Sequence, residues 1–174
     1  MILNKQYQII YADPPWRQFK GGLRKCRPNQ NRNLDYSTLS LGCIQGILSK
    51  IDAPILFLWT IDKFLFEAQK ISENIGYRLH ARMIWDKMNG VAPAFTVRYS
   101  HEYLLWLYKK PMLKITKDMR GKQTTVFSER ATKHSKKPQK AYEIIESFYP
   151  NANRIELFAR EHRDGWDSWG DELV

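Results

Sequence analysis

The sequence predicts an α/β fold in which a mostly parallel sheet is covered by helices on both faces. Short apolar runs of strand length alternate along the chain with segments whose apolar residues repeat at helical spacing. Parallel strands need crossover connections, and helical crossovers cover both faces of such a sheet. A length of 174 residues with 43% hydrophobic residues suits one globular domain, which we expect to span 1–174.

Five strands and three helices are predicted in alternation. The strands cover 7–12, 54–60, 78–85, 101–109 and 154–159. Helices are predicted over 40–51, from Asp62 to about 75, and from Pro138 to 148. Asp62 is expected to cap the second helix and Gly76 to end it, while Pro138 suits the first position of the third helix. The segments 17–35 and 116–137 are predicted basic loops, 89–100 is a predicted turn or loop, and 165–174 is a predicted tail.

The charge of the chain favours a polyanionic partner. Lysine and arginine number 28 against 18 acidic residues, which gives a formal net charge of +10. A basic surface concentrates nucleic acid, and the aromatic residues, at 13%, can stack on unpaired bases. The polar N-terminus lacks the apolar core of a signal peptide, and the longest apolar run, 53–61, is too short to cross a bilayer. We therefore expect a cytoplasmic protein with no membrane partner. The basic charge also has an alternative interpretation, since many soluble proteins are basic without binding a polyanion.

A tetrapeptide, Asp13-Pro14-Pro15-Trp16, follows the first predicted strand. The amino nitrogen of adenine is a poor nucleophile because its lone pair is delocalised into the ring. Acceptors placed on its two N–H bonds localise that pair and favour a cationic transition state, and the Asp13 carboxylate and the Pro14 carbonyl can be those acceptors. Successive prolines fix two φ angles, and Trp16 offers a flat face for the base. A strand-ending turn, in which Asp13 hydrogen-bonds its own backbone, explains the same four residues without catalysis.

A methyl sulfonium is an activated electrophile, so this chemistry requires no metal. The neighbours His101 and Glu102 look like a metal-binding pair, yet no third ligand follows at a suitable spacing, so we predict no metal site. Trp59 and Trp85 lie in apolar runs and are predicted core residues. Glu156, taken alone, has the pattern of a charge on an edge strand.

Several blocks of the sequence together resemble the family of the eukaryotic mRNA adenosine-N6 methyltransferase catalytic subunit and its bacterial and phage relatives. The blocks occur in the family's order and span nearly all of the chain. They are YQIIYADPPW at 7–16, YSTLS at 36–40, ILFLWT at 55–60, MIWDK at 83–87, RYSHEYLLW at 98–106, KKP at 136–138 and RIELFAR at 154–160. The resemblance implies a Rossmann-like fold in which the catalytic motif precedes the cofactor strand. It also implies S-adenosylmethionine as the methyl donor.

The resemblance assigns catalytic and substrate-binding roles by position. Asp13, Pro14, Pro15 and Trp16 match the family's catalytic motif, and in relatives the aspartate also contacts the amino group of the cofactor's methionine part. Tyr36 matches a tyrosine that lies beside the target base.

The resemblance also implies a set of cofactor-binding residues. Lys137 matches a lysine that pairs with the cofactor carboxylate, and Arg160 and His162 match residues that hold ribose and carboxylate at the end of the cofactor strand. Asp171 and Glu172 fall where the eukaryotic enzyme has the amides Asn-Gln. Carboxylates can accept hydrogen bonds from ribose hydroxyls but cannot donate them, so this position departs from the family pattern.

The basic segment after the motif carries Arg17, Lys20, Arg24 and Lys25. We hypothesise that these residues contact the phosphates that flank an unpaired or flipped adenine. A surface loop without a ligand is the alternative interpretation.

The leading functional hypothesis is adenine-N6 methylation of DNA by a bacterial or phage-type enzyme. The same reaction on RNA is the nearest alternative, because both nucleic acids present the same base. A non-catalytic partner subunit is a different class, and members of that kind lose the tetrapeptide that is intact here. The charge and the resemblance disfavour a small-molecule or protein methyltransferase. We expect a homodimer or a pairing with a methyltransferase-like subunit.

Overall fold

The computed structural model describes residues 5–17, 38–91, 96–132, 136–170 and 173. Within these ranges seven strands form one sheet in the order β5-β3-β4-β2-β1-β6-β7. The strands are β1 Ile9–Ala12, β2 Ile55–Thr60, β3 Arg78–Asp86, β4 His101–Tyr108, β5 Val126–Ser128, β6 Arg154–Leu157 and β7 Asp167–Trp169. The helices are α1 Leu41–Leu48, α2 Leu65–Asn74 and α3 Gln139–Phe148, and short 3-10 turns cover Asp62–Phe64 and Lys117–Met119.

Most neighbouring strands run parallel, which confirms the predicted α/β fold. The pairs β1–β2, β1–β6, β6–β7 and β3–β5 are parallel, and β4 is antiparallel to both β2 and β3. The central strands β1, β2 and β6 are buried along their whole length, as expected of strands covered on both faces.

The helices cover the two faces of the sheet separately. On one face, α1 and α2 pack Ile44, Leu48 and Ala68 into a cluster with the sheet. On the other face, α3 packs Ile145 and Phe148 against the sheet. Trp59 and Trp85 are 0% and 3% exposed, which confirms their prediction as core residues.

The strand register brings chain segments that are distant in sequence to one edge of the sheet. Ala12, the last residue of β1, lies opposite Leu58 of β2 and Leu157 of β6. Because β4 is antiparallel, its first residues lie at this same edge, and Thr60 pairs with Tyr103. The carboxyl ends of three strands and the start of a fourth therefore meet where the tetrapeptide begins.

Two helix starts differ from the predictions. The chain enters α2 through the 3-10 turn Asp62–Phe64, and no side chain caps α2, so the capping role predicted for Asp62 is wrong. Helix α3 begins at Gln139, one residue after Pro138, which occupies the N-cap position in an extended conformation. A proline cannot cap with its side chain, and the Glu129 carboxylate instead accepts the backbone N–H bonds of Gln139 and Lys140, both at 2.8 Å.

Two segments predicted as irregular contain short strands. The basic segment 116–137 includes β5, and the tail includes β7. Each has three residues at an outer edge of the sheet, too few to show an alternating pattern. Because β7 pairs with β6, Glu156 lies in an interior strand, which corrects its interpretation as an edge-strand charge.

Gly170, directly after β7, approaches the end of β6 closely. A Cβ added there would lie 2.2 Å from the carbonyl oxygen of Ala159. Gly170→Ala is therefore expected to lower the free energy of unfolding by about 2–3 kcal/mol, because the backbone must shift. Gly46→Ala in α1 is the control: nothing lies within 4 Å of its added Cβ, and we expect a gain of about 0.5–1 kcal/mol from helix propensity. Urea unfolding measures the free energy of unfolding of both variants. Equal changes in Gly170→Ala and Gly46→Ala would contradict the close approach at Gly170.

Candidate active site

The tetrapeptide forms a tight turn at the carboxyl end of β1. The Trp16 backbone N–H donates to the Pro14 carbonyl at 2.8 Å, and the Leu39 N–H donates to the Pro15 carbonyl at 3.0 Å. The Asp13 N–H donates to the Leu157 carbonyl of β6 at 3.4 Å. A carbonyl oxygen has two lone pairs, so Pro14 can accept a second hydrogen bond from a ligand. The turn therefore fixes the direction of the carbonyl that the sequence singled out.

Trp16 anchors this turn to the sheet. Its Nε1–H donates to the Trp59 carbonyl at 3.0 Å, and its ring stacks on Phe64 with 5.5 Å between ring centroids. Only 5% of the residue is exposed. The base-stacking role predicted for Trp16 needs an open ring face, which these contacts largely cover.

Four charged side chains form a chain of ion pairs beside the turn. The Lys137 Nζ lies 2.9 Å from Asp13 Oδ1 and 3.0 Å from Glu102 Oε2. The other Glu102 oxygen lies 2.5 Å from the Lys87 Nζ. The side chains of Lys137 and Glu102 are 11% and 14% exposed. Asp13 is thus held by one buried ammonium group, which is itself held by a second carboxylate.

The pKa values of these groups follow from how many opposite charges each one contacts. Burial raises the pKa of Asp13 above its usual value, since Lys137 only partly offsets the lost hydration. Burial acts in the same direction on Glu102, but Lys137 and Lys87 outweigh it and the net pKa is lowered. Burial alone would lower the pKa of Lys137, yet Asp13 and Glu102 raise it above its ordinary value. Lys137 is therefore a permanent cation of the site.

Two cavities open at this edge of the sheet and share part of their walls. The larger has a volume of about 510 Å³ and the smaller about 390 Å³. Both suit ligands of nucleoside size. Their shared residues are Asp13, Thr132, Lys136, Lys137 and Arg160. A group bound in one cavity can therefore meet a group bound in the other beside Asp13.

The larger cavity has a predominantly cationic wall. Pro14, Pro15 and Trp16 line it together with Trp85. Its charged residues are Lys87, Arg98, Lys136, Lys137 and Arg160 against Asp13 and Glu102.

The smaller cavity is bordered by a buried carboxyl group on β6. Glu156 is 9% exposed, and its Oε1 accepts the Tyr142 hydroxyl at 2.9 Å. Burial raises the pKa of Glu156 to about 7. Phe158, His162 and Arg163 also line this cavity. The Arg163 guanidinium lies over the Tyr142 ring at 4.1 Å.

The structure brings most of the predicted residues that it describes to one place. Asp13, Lys137, Arg160 and His162 line the two cavities, although Lys137 contacts carboxylates of the chain itself. Arg17 is described and exposed. The remaining predicted site residues lie outside the described residues: Tyr36, Lys20, Arg24, Lys25, Asp171 and Glu172.

The sequence analysis missed several site residues, among them Lys87, Glu102 and Glu156. Glu102 was noticed only as half of a metal pair, and Glu156 only as a surface charge. The signal that could have found Glu102 and Glu156 is a carboxylate within a strongly apolar strand, where an unpaired charge is costly. Among the described residues, no three His, Cys, Asp or Glu side chains lie close enough together to hold a metal ion. No helix within the described ranges is long and apolar enough to cross a membrane.

The sheet is covered by helices on both faces and has a polar cleft at the carboxyl ends of its strands, which is the arrangement of a Rossmann-like fold. The sequence profile of the MT-A70 family matches residues 7–172. The chain therefore belongs to the MT-A70 family and is an enzyme of the methyltransferase class.

Similar proteins occur in bacteria and eukaryotes. The chain is 28% identical to the Type II methyltransferase M.MunI of Mycoplasma sp, over 98% of this chain and 79% of that protein. It is 28% identical to the human N(6)-adenine-specific methyltransferase METTL4, over 99% of this chain and 39% of that protein. It is 24% identical to the human N(6)-adenosine-methyltransferase catalytic subunit METTL3, over 99% of this chain and 29% of that protein. The chain thus spans most of the bacterial relative but well under half of these human ones.

Proposed function

We propose that this enzyme transfers a methyl group from S-adenosylmethionine to the N6 amino group of adenine in DNA. The observation that carries the proposal is the position of Asp13 in the wall shared by the two cavities, next to Pro14 in the wall of the larger one. The names of both human relatives specify the N6 position of adenine or adenosine, which supports the choice of reacting atom.

The Asp13 carboxylate and the Pro14 carbonyl are proposed to accept the two N–H bonds of the adenine amino group. Both acceptors are oriented before the base arrives, Asp13 by Lys137 and Pro14 by the Trp16 N–H. Preoriented acceptors stabilise the positive charge that develops on nitrogen in the transition state. The nitrogen then releases one proton, and Asp13, whose pKa is raised by burial, is suited to accept it.

The smaller cavity fits the charges of S-adenosylmethionine. Its walls carry the Glu156 carboxyl for a ligand ammonium, and Lys136 and Lys137 for a ligand carboxylate. Two of the three N–H donors of Lys137 are taken by Asp13 and Glu102, which leaves one for a ligand. The cofactor would supply a methyl group already activated by a sulfonium centre. Arg160 and His162 border the same cavity and are proposed to contact its ribose or carboxylate.

Glu156 predicts a pH dependence of cofactor binding. With a pKa of about 7, its carboxyl group is ionised above neutral pH and protonated below it. Because only the carboxylate attracts an ammonium group, the affinity for S-adenosylmethionine is expected to fall about tenfold from pH 8 to pH 6. Glu156→Gln should bind weakly and equally at both pH values in calorimetric titrations. Glu143→Gln, on the exposed face of α3, is the matched control and should keep the wild-type dependence.

The same substitution is expected to stabilise the fold. The folded-state pKa of Glu156 lies above its usual 4.5, so the folded protein holds a proton that the unfolded chain releases. The free energy of unfolding therefore falls as pH rises from 4.5 to 7, and it stays lowered above pH 7. Glu156→Gln removes this deficit, so its melting temperature should exceed that of the wild type at pH 8. A lower melting temperature, together with unchanged cofactor affinity, would mean that Glu156 is a packing residue.

DNA is proposed as the substrate because the Type II methyltransferase of Mycoplasma matches this chain over most of both lengths. The cationic residues of the larger cavity suit any nucleic acid. RNA is the second candidate, because the human adenosine methyltransferase named above also matches 99% of this chain. The enzyme is proposed to act in the cytoplasm of a bacterial or phage-infected cell, as a homodimer or with a methyltransferase-like partner.

Methyl transfer to matched DNA and RNA oligonucleotides decides between the two substrates. Both are incubated with labelled S-adenosylmethionine, and the proposal expects a higher initial rate with DNA. A higher rate with RNA would transfer the proposal to the alternative substrate. Cofactor binding without transfer to either would favour a non-catalytic subunit.

A further inference from the structure

The loop that joins β3 to β4 exposes apolar side chains beside the larger cavity. We call it the rim loop, and the structure describes its residues 87–91 and 96–100. Val91, Val97, Tyr99 and Met88 are 99%, 69%, 63% and 49% exposed. Among the described residues, the other large hydrophobic side chains of comparable exposure are Phe66 and Val126. Apolar groups concentrated in one loop indicate a contact surface.

The base of the rim loop is firmly built. The Lys87 N–H donates to the Ser100 carbonyl at 2.9 Å and closes the loop. The Met88 N–H donates to the Asp86 carboxylate at 3.0 Å, which holds Met88 in the left-handed region at φ 50°. The Arg98 guanidinium donates to the carbonyls of Asn89 and Gly90, at 2.8 Å and 3.4 Å, and ties the two limbs together. Backbone that is fixed in this way presents the outward side chains at a defined place.

The rim loop forms part of the wall of the larger cavity. Lys87, Asn89 and Arg98 line this cavity together with the tetrapeptide turn, and the exposed Met88, Val97 and Tyr99 are their neighbours in the chain. The Asn89 Oδ1 is buried and has no hydrogen-bond partner within the described structure, so it can accept a hydrogen bond from a ligand in the cavity. A nucleic acid that places a base in this cavity therefore comes close to the rim loop.

An adenine in duplex DNA must leave the base stack before its amino group can be methylated in a cavity. Its departure leaves a gap between the neighbouring bases, and proteins commonly stabilise such distorted duplexes with apolar side chains. We propose that the rim loop contacts the DNA around the target adenine, and that Val91, Val97 and Tyr99 pack against the bases next to the gap. This inference rests on the proposed function and extends it to duplex DNA.

The surroundings favour nucleic acid over a second copy of this chain as the occupant. The cavity beside the loop is lined by five cationic side chains, Lys87, Arg98, Lys136, Lys137 and Arg160, and the whole chain carries a formal net charge of +10. Two such surfaces repel each other, whereas a polyanion is attracted. A surface with apolar groups at the tip and cations at the base complements stacked bases flanked by phosphates.

The test compares a duplex with its separated strands. The combined variant Val91→Ser, Val97→Ser and Tyr99→Ser keeps the cavity walls and changes only exposed side chains. With a mixed-sequence oligonucleotide pool and labelled S-adenosylmethionine, we expect it to lower the initial rate on duplex DNA about tenfold, and on single strands less than about twofold, because no stacking gap arises there. Val126→Ser, on a half-exposed valine that lines neither cavity, is the matched control and should leave both rates unchanged.

Other outcomes would overturn the inference. Equal losses on duplex and single strands would exclude a role in base extrusion, and a change in molar mass by light scattering would assign the surface to a second copy. A wild-type enzyme that methylates only single strands would also contradict it. No transfer by the wild type to any nucleic acid would contradict the proposed function, and with it the inference built on that function.

Discussion

Asp13→Asn is expected to lower the rate of methyl transfer by about a hundred- to a thousandfold at saturating cofactor. The substitution keeps the shape of the side chain but removes the charge that faces the reacting amino group. Loss of one preoriented group at the site of charge development has costs of this size in other enzymes. The amide also cannot accept the proton that the amino nitrogen releases.

The substitution should leave the fold intact. Asp13 is a carboxylate whose pKa is raised by burial, so the folded state gains little from its charge. Lys137 retains Glu102 as a partner in the variant. A single-turnover measurement with pre-bound cofactor separates chemistry from binding. Wild-type turnover by Asp13→Asn would show that the tetrapeptide is a structural turn.

Lys137→Met should cost both stability and activity. It removes the ammonium group that lies between Asp13 and Glu102, and leaves two partly buried carboxylates facing each other. Removal of one partner from a buried ion pair costs about 3–5 kcal/mol. Activity should also be lost, since Asp13 would lose its orientation and, without Lys137, its pKa would rise further.

The loss of unfolding free energy in Lys137→Met should depend on pH through the two remaining carboxylates, Asp13 and Glu102. In the wild type, the pKa of Lys137 is raised above 10.5, so its contribution is present below that value and lost only at higher pH. Between pH 5 and 8, any pH dependence of the difference in unfolding free energy between the wild type and Lys137→Met therefore comes from the carboxylates. Without the cation the pKa values of Asp13 and Glu102 rise, so the loss of unfolding free energy should be larger at pH 8 than at pH 5, because protonation of the carboxylates at lower pH relieves their repulsion.

Lys136→Met is the matched control for this prediction. Lys136 is the sequence neighbour of Lys137, but its side chain is 53% exposed and pairs with Glu161, which is 70% exposed. An exposed pair of this kind contributes about 0–1 kcal/mol. Urea unfolding of both variants at pH 5 and pH 8 gives the comparison. If the two variants lost similar amounts of unfolding free energy at both pH values, Lys137 would not be the centre of a buried ion-pair network.

The parts of the site that the sequence predicted belong to the ends of parallel strands. Asp13 follows β1, and Arg160 and His162 follow β6, so the rule that ligands bind at carboxyl ends of parallel strands was sufficient to bring them together. Helix α3 was predictable from the spacing of its apolar residues, and its start was misplaced by only one residue.

The missed residues depend on strand direction and on long-range pairing. Glu102 enters the site only because β4 runs antiparallel to β2, and no local pattern in 101–109 specifies that direction. Glu156 lies inside the sheet only because β7, three residues long, covers its outer side. Trp16 was expected to face a base, yet it packs on Phe64, which is 48 residues later in the chain. Such contacts are made by the tertiary fold, so propensity and periodicity cannot reveal them.

The most direct test of the proposed reaction is the identity of the methylated nucleoside. DNA incubated with the wild-type enzyme and labelled S-adenosylmethionine is digested to nucleosides, which are resolved by mass spectrometry, with Asp13→Asn in parallel. The proposed mechanism predicts label in N6-methyladenine from the wild type and at most about a hundredth of it from the variant. Label in a methylated cytosine, or equal label from Asp13→Asn, would contradict it.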